Sequence, residues 1–131
     1  MTHTIKCRDD NNKNISIDVR YKQYHFKIKL DCILYISIAK RGSKIHIYDF
    51  DLPFEHNGVL LSDKKVCELF EELSNSGFAY AHNSYIVNLQ YVKIRNREEI
   101  ELINGEVLSI ARSKLPEFRK RVEEYLGKNA Y

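Results

Sequence analysis

The sequence has few of the residues that mark disulfide scaffolds, metal sites or membrane proteins. Its 131 residues include three cysteines, Cys7, Cys32 and Cys67, which are far apart and form no C-x-x-C pair. This pattern favours a reducing interior over secretion, and therefore a cytoplasmic protein. No apolar run approaches the roughly twenty residues of a membrane-spanning helix, so no membrane partner is expected.

Signatures of catalysis and of cofactor binding are also lacking. The five glycines are isolated and each fits a turn or a helix end, so no phosphate-binding loop occurs. The histidines are scattered without metal-ligand spacing, so neither a metal nor another cofactor is expected. His82 and Ser84 could pair as base and nucleophile, but no glycine elbow or orienting acid accompanies them. We therefore expect no catalytic residue and no enzyme.

Positive charge is concentrated near the C-terminal end. The net charge is +3; residues 1–111 carry 15 Lys and Arg against 15 Asp and Glu, whereas residues 112–131 carry six against three. A basic element on a neutral body can attract a polyanion, although surface lysines and arginines usually only solvate a helix face. The length and an apolar content of 44% fit one globular domain.

Alternation of apolar and polar residues predicts strands over most of the chain. Residues 24–31 alternate, residues 32–38 are nearly all apolar and fit a central strand, and residues 44–50 alternate again. The last two segments predict an antiparallel hairpin with a basic tip at 40–44. The first twenty residues have turn-forming composition and are interpreted as a tail, a linker or an edge hairpin. Further strand segments are predicted at 52–61, 78–81, 85–89, 92–94, 100–103 and 107–110.

Two helices complete the predicted architecture, which is mainly β. Ser62 is the expected N-cap of a helix from Asp63 to Asn75, with an acidic outer face that should point away from any nucleic acid. Ser113 is the expected cap of a second, basic helix that runs to Leu126, with Pro116 in its first turn. Its apolar stripe consists of Leu115, Phe118, Val122, Tyr125 and Leu126.

A polar triplet, His82, Asn83 and Ser84, lies between the apolar segments 78–81 and 85–89. Burying these side chains without partners would be unfavourable, so two strands joined by a surface bend are predicted. The bend is either a recognition site or a turn whose side chains satisfy one another and the nearby backbone.

Several sequence landmarks together resemble the LytTR-type DNA-binding domain of bacterial transcriptional regulators. They are I-L-Y-I at 33–36, G-F-A-Y-A-H-N-S-Y-I-V-N-L at 77–89, Y-V at 91–92, N-G at 104–105, and A-R at 111–112 before a basic helix. The resemblance runs from about Tyr24 to Leu126. It implies short antiparallel sheets in an elongated arrangement with packed helices, in a domain at 24–127 flanked by an N-terminal tail or edge hairpin at 1–23 and a C-terminal tail at 128–131.

The resemblance implies sequence-specific binding of double-stranded DNA at promoter direct repeats, by loops that enter successive major grooves. It also implies a homodimer or tandem binding on DNA. By position, Arg112 is expected to read guanine, Asn83 to contact adenine or phosphate, and the hairpin tip to neutralise phosphates. His82 is either a structural residue or a phosphate contact. The expected DNA-binding residues are Asn83, Arg112, Arg41, Ser43, Lys44, His82, Lys40 and Lys114.

Two departures from the family pattern bear on function. Many members have Arg or Lys where this chain has Asn83, and Ser where it has Ala111. Loss of that positive charge, with a near-neutral body, leaves open a protein-interaction module that inhibits a related regulator. The family's regulators commonly carry an N-terminal receiver domain, for which residues before Tyr24 leave no room, so we expect a stand-alone regulator or a piece of a longer one.

Overall fold

A computed structural model of the protein describes residues 2–5, 16–48 and 58–129, with side chains for 16–48 and 58–127. Within these ranges the chain forms strands, two α-helices and three short 3₁₀ turns. The strands are β1 Thr2–Ile5, β2 Ser16–Tyr21, β3 Tyr24–Lys29, β4 Ile33–Ile38, β5 Ser43–Ile47, β6 Val59–Ser62, β7 Phe78–His82, β8 Tyr85–Asn88, β9 Val92–Ile94, β10 Glu99–Leu102 and β11 Val107–Ser109. The helices are α1 Val66–Leu73 and α2 Leu115–Asn129, and the 3₁₀ turns are Leu30–Cys32, Leu89–Tyr91 and Arg112–Lys114.

Three sheets make up the fold, and the mainly β architecture predicted from the sequence is confirmed. The largest is a five-stranded antiparallel sheet in the order β6-β5-β4-β8-β7, with β4 at its centre as expected. A second sheet has the order β11-β10-β9. The third has the order β1-β3-β2, in which β1 pairs with β3 in parallel, unlike the other pairs. The predicted strand residues at 49–57 lie outside the described residues.

The five-stranded sheet is covered on both faces because successive side chains of a strand point to opposite sides. In β7, Phe78 packs into one hydrophobic cluster and Ala79 into the other. The first cluster includes buried residues of α1 and of the β2–β3 hairpin. The second includes Ile100 and Phe118, from β10 and α2. The central sheet therefore separates two cores.

The N-terminal stretch contributes to the first core. Ile17 and Val19 of β2 are buried, and β2 forms an antiparallel hairpin with β3 at the edge of its sheet. Lys22, in the hairpin turn, is the one non-glycine residue with positive φ among the described residues, at 56°.

Helix α1 starts later than predicted. Ser62 ends β6 rather than capping the helix, and its hydroxyl accepts a hydrogen bond from the Lys64 amide at 3.1 Å. The N-cap position is Lys65, whose amide donates to the Glu68 carboxylate at 2.7 Å. Pairing of Ser62 with Ser43 in the sheet takes it out of the helix, so local capping preference was overridden by strand pairing.

Helix α2 is preceded by the 3₁₀ turn that contains Ser113, so this residue does not cap the helix directly. Phe118 is fully buried and anchors the helix against the second core. Leu126, predicted on the same stripe, is 52% exposed because it lies near the end of the helix, beyond the core. Arg121 instead contacts the protein, donating to the Ser74 carbonyl oxygen at 2.7 Å.

Asn88, the last residue of β8, is a buried polar residue with 1% exposure. Its side-chain amide donates to the carbonyl oxygens of Leu30 and Ile33 at 3.1 and 2.8 Å. It therefore fastens the end of β8 to the 3₁₀ turn that leads into β4.

Cys67 is a free, exposed cysteine, whereas Cys32 is buried and disulfide-bonded. A disulfide is uncommon in reducing compartments, so the cysteines give no support to a cytoplasmic location. No helix of the described residues is long and apolar enough to span a membrane.

Candidate nucleic-acid interface

The polar triplet lies at a tight connection between β7 and β8, as predicted. His82 ends β7 and pairs with Tyr85, the first residue of β8, so Asn83 and Ser84 alone form the turn. The His82 Nδ1 accepts a hydrogen bond from the Ser84 amide at 3.1 Å. Asn83 is exposed and its side chain has no hydrogen-bond partner among the described residues. Of the three residues, Asn83 is the one available to a ligand.

The β4–β5 loop, residues 39–42, lies directly beside this turn. The Ile38 amide, at the end of β4, donates to the Ser84 carbonyl oxygen at 2.9 Å. Lys40 and Arg41 are exposed in the loop and form no ion pair with the described residues. Two unpaired cations therefore lie next to the Asn83 turn.

The predicted hairpin tip at 40–44 is shorter in the structure, because β5 begins at Ser43. Ser43 is 0% exposed, and its hydroxyl donates to the Lys64 carbonyl oxygen at 2.8 Å. The expected DNA contact from Ser43 is therefore wrong, because its hydroxyl is buried and hydrogen-bonded within the protein. Lys44, one residue into β5, is exposed. Gly42 has a φ of +82°, and a Cβ there would overlap the Ser62 carbonyl oxygen.

Arg112 lies at the same end of the sheet. The Ala111 amide donates to the Ala81 carbonyl oxygen at 2.8 Å, which brings the start of the 3₁₀ turn beside the end of β7. Arg112 is exposed and forms no ion pair with the described residues. Lys114 is only partly exposed, with its Nζ 5.1 Å from the centroid of the Tyr80 ring. Arg112 is thus free to bind a partner, while Lys114 packs against the domain.

Tyr85 connects the Asn83 turn to the segment before Arg112. Its ring stacks on His82, with centroids 5.0 Å apart and an interplanar angle of 12°. Its hydroxyl donates to the Ser109 carbonyl oxygen. Burial raises the pKa of Tyr85, although the backbone hydrogen bond opposes this, so the hydroxyl keeps its proton at neutral pH. Tyr85 therefore links the turn, through its ring contact with His82, to the segment before Arg112, through its hydroxyl.

Two further aromatic rings, those of Tyr35 and His46, extend the Tyr85–His82 ring pair across the five-stranded sheet. Tyr35 meets Tyr85 edge-on at 6.0 Å, and His46 stacks on Tyr35 at 3.8 Å. The Tyr35 hydroxyl donates to Glu106 at 2.6 Å; burial raises the pKa of Tyr35, and Glu106 raises it further. Burial lowers the pKa of His46 to about 4, despite the opposing charge of Glu106. His46 is therefore neutral at pH 7.

Sequence reasoning missed one cation beside Arg112. Arg97, in the turn between β9 and β10, lines an open cleft together with Asn96, Arg112 and Leu115. The sequence predicts only a connection between the strand segments 92–94 and 100–103 here, and nothing local indicates that this connection meets Arg112. Arg97 is exposed and forms no ion pair with the described residues, but Glu98 and Glu99 line the same cleft, so this part of the surface carries charges of both signs.

The loop 39–42, the turn 83–84 and the segment 111–112 form a row at one end of the five-stranded sheet. Strands about 4.8 Å apart place the first two connections about 10 Å from each other. Exposed guanidinium, ammonium and amide groups in such a row can donate hydrogen bonds to phosphates and to base edges. Asp63 is also exposed, and its backbone lies close to Gly42 of the loop, so a negative charge adjoins the row.

Comparisons with known proteins identify the family and the fold of this chain. The model of the LytTr DNA-binding domain family matches residues 23–123. A solved LytTr DNA-binding domain from Bacillus cereus is similar with a TM-score of 0.61 and 17% identity, covering 82% of this chain and 95% of that chain. At this identity the likeness shows a shared fold. No curated protein matches. Because the family match spans most of the chain, the chain belongs to the LytTr DNA-binding domain family, whose functions are DNA binding and transcription regulation.

Proposed function

We propose that this domain recognises specific double-stranded DNA sequences at paired direct repeats in promoters, through loops inserted into successive major grooves. The observation that carries the proposal is the row formed by the loop 39–42, the turn 83–84 and the segment 111–112. Each of these elements exposes a side chain suited to DNA, and backbone hydrogen bonds join them to one another through Ile38 and Ala111. Because the row rests on a central sheet, the backbone positions that carry these side chains are held in place relative to one another.

The side chains have different roles in this proposal. Arg112 reads guanine through two hydrogen bonds to O6 and N7, which its planar guanidinium can donate together. Asn83 donates to and accepts from adenine, or holds a phosphate, with its amide. Lys40, Arg41 and Lys44 neutralise phosphates and set affinity rather than specificity. His82 stabilises the turn by accepting a hydrogen bond from the Ser84 amide.

Two copies of the domain occupy the paired repeats in tandem, and the protein acts in the cytoplasm, where bacterial DNA lies. Both statements rest on family membership.

The test starts with duplexes enriched by the wild-type protein from a random pool. Affinity for the enriched and for scrambled duplexes is measured by fluorescence anisotropy over a salt series. Arg112→Ala should lose about 1 to 3 kcal/mol of discrimination between the two duplexes. Arg112→Lys is the matched control, since it keeps the charge and the salt dependence but cannot form the bidentate contact with guanine O6 and N7. Unchanged discrimination in Arg112→Ala would exclude the proposed readout.

The uncharged Asn83 favours a second candidate, an interaction module that inhibits a related regulator. This candidate predicts that no sequence is enriched and that DNA affinity stays at the non-specific level, with Kd on the order of 10⁻⁴ to 10⁻⁶ M at physiological salt. Tight binding to a regulator of the same family under those conditions would support it.

A further inference from the structure

We infer that the β2–β3 hairpin adds a phosphate-binding element to the DNA interface through Lys22 and Arg20. The inference rests on the proposed DNA binding and extends its surface. The family match begins at residue 23, so β2 and Lys22 lie outside the segment that it assigns.

The hairpin turn lies at the same end of the molecule as the loop 39–42. The Asp63 amide donates to the Arg20 carbonyl oxygen at 2.7 Å, which ties the end of β2 to the residue after β6. Asp63 in turn lies against Gly42 of the loop. The other end of the hairpin, at Lys29, leads through the 3₁₀ turn Leu30–Cys32 to the start of β4, at the opposite end of the five-stranded sheet. The row of loops therefore continues beyond Arg41 to the hairpin turn.

The hairpin carries an excess of positive charge on its outward face. Asp18 is its one carboxylate, and it lies 3.5 Å from His25. Arg20 and Lys22 are exposed and form no ion pair with the described residues. Among the described residues, no carboxylate pairs with the side chain of Arg20 or Lys22, although the exposed Asp63 lies beside the Arg20 backbone.

The backbone of Lys22 supports a role for its side chain. With φ at 56°, Lys22 adopts a left-handed conformation that glycine adopts without penalty and that lysine adopts at an energetic cost. Its Nζ lies 5.3 Å from the centroid of the Tyr21 ring, at the exposed end of the hairpin. A non-glycine residue in this conformation supports the hypothesis that its side chain has a function. Here that side chain supplies an ammonium group.

Lysine acts on DNA as a point charge and binds phosphate rather than reading bases. Contacts from Lys22 and Arg20 should therefore raise affinity for every duplex that is long enough to reach them. They should not change which sequence is preferred.

The experiment uses the full chain and the enriched duplex of the proposed-function test. Lys22→Gly removes the charge and suits the left-handed turn, so it should not lower the resistance to urea. We expect about a fivefold loss of affinity at 0.15 M salt and a fall of about 0.9 in the slope of log K against log salt. The double variant Arg20→Ala, Lys22→Gly should lower the slope by about 1.8. Sequence preference should stay unchanged in both.

Lys29→Ala is the control, because it removes a positive charge from the far end of the same hairpin; Lys29 is partly buried and has a partner within the protein, so its loss should leave the slope unchanged. Trimming each end of the duplex in turn should abolish the difference between wild type and Lys22→Gly at one end only. If Lys22→Gly and Lys29→Ala have the same slope as wild type while Arg112→Ala loses discrimination, the hairpin contact is wrong and the proposed function stands. If Arg112→Ala has no effect, the proposed readout fails instead.

Discussion

Acidification should destabilise the domain through His46, whose ring is stacked on Tyr35 and hydrogen-bonded to Ser37 Oγ at 2.9 Å. Burial lowers its folded-state pKa from 6.5 to about 4. The unfolded chain therefore takes up a proton at a pH where the folded protein does not. Stability from this residue is complete above pH 6.5 and is lost as the pH falls towards 4.

The size of the effect follows from the shift. A folded pKa of about 4 and an unfolded pKa of 6.5 imply a loss of about 2 kcal/mol between pH 7 and pH 5. The ring is only partly buried, so solvent screening reduces the expected loss to about 1 to 2 kcal/mol.

Urea unfolding followed by far-UV circular dichroism at pH 8, 7, 6 and 5 measures this loss. The comparison is with His46→Gln, which can still hydrogen-bond to Ser37 but does not titrate. The free energies of unfolding of the two proteins should differ by a constant amount from pH 8 to 7. By pH 5 the free energy of unfolding of the wild type should have fallen by about 1 to 2 kcal/mol more than that of the variant. A constant difference between them over the whole range would refute the reasoning.

Two further predictions concern positions at or near the interface. Gly42→Ala should cost more than about 2 kcal/mol, because a Cβ combines positive φ with overlap on the Ser62 carbonyl. Gly105→Ala, with positive φ but open space, should cost only about 1 kcal/mol in the same urea assay; equal losses would contradict the overlap. Tyr85→Phe removes the bond to the Ser109 carbonyl and should lower stability by about 1 kcal/mol. Its DNA affinity should fall several-fold without a change in salt slope, and a changed slope would reveal a direct phosphate contact.

Periodicity predicted the regular parts of the fold well. The nearly all-apolar stretch at 32–38 indicated a central strand. Within the helix predicted from Asp63 to Asn75, Val66, Leu69 and Leu73 have helical spacing and pack into the first core. These signals are local, since they need only the alternation of side chains along one element. Asn104-Gly105 lies between the predicted strands 100–103 and 107–110, and this dipeptide favours the tight turn that joins β10 to β11.

The predictions that were wrong depended on how elements pair. Ser43 and Ser62 were assigned to a loop tip and a helix cap, yet they pair with each other and are both fully buried. Which residue of a hairpin is the last in its strand is set by register across the sheet, which a single segment does not encode. The burial of Ile17 and Val19 in a turn-rich segment has the same origin, because these strand residues are covered by a core assembled from distant parts of the chain.

Asn83 and Arg112 could be proposed from the sequence because their positions among the LytTR landmarks identified them. Arg97 could not, because its meeting with Arg112 comes from the packing of the β9–β10 turn and has no motif. The hairpin charge at Lys22 was overlooked for a similar reason. The function of a short turn that carries a lysine depends on its neighbours in space, which the sequence alone does not identify.

The pairing of β4 with β8 has a consequence for how the domain is made. Tyr35 pairs with Val87, 52 positions later, and this ladder alone brings the loop 39–42 beside the turn 83–84. Closing so long a loop is entropically costly, and contacts this distant in sequence slow folding. During synthesis, a chain that ends before β8 already contains the basic hairpin but not its neighbour. The proposed DNA-binding surface is therefore completed by one of the least local steps of folding, and partly folded chains should not compete for the promoter repeats.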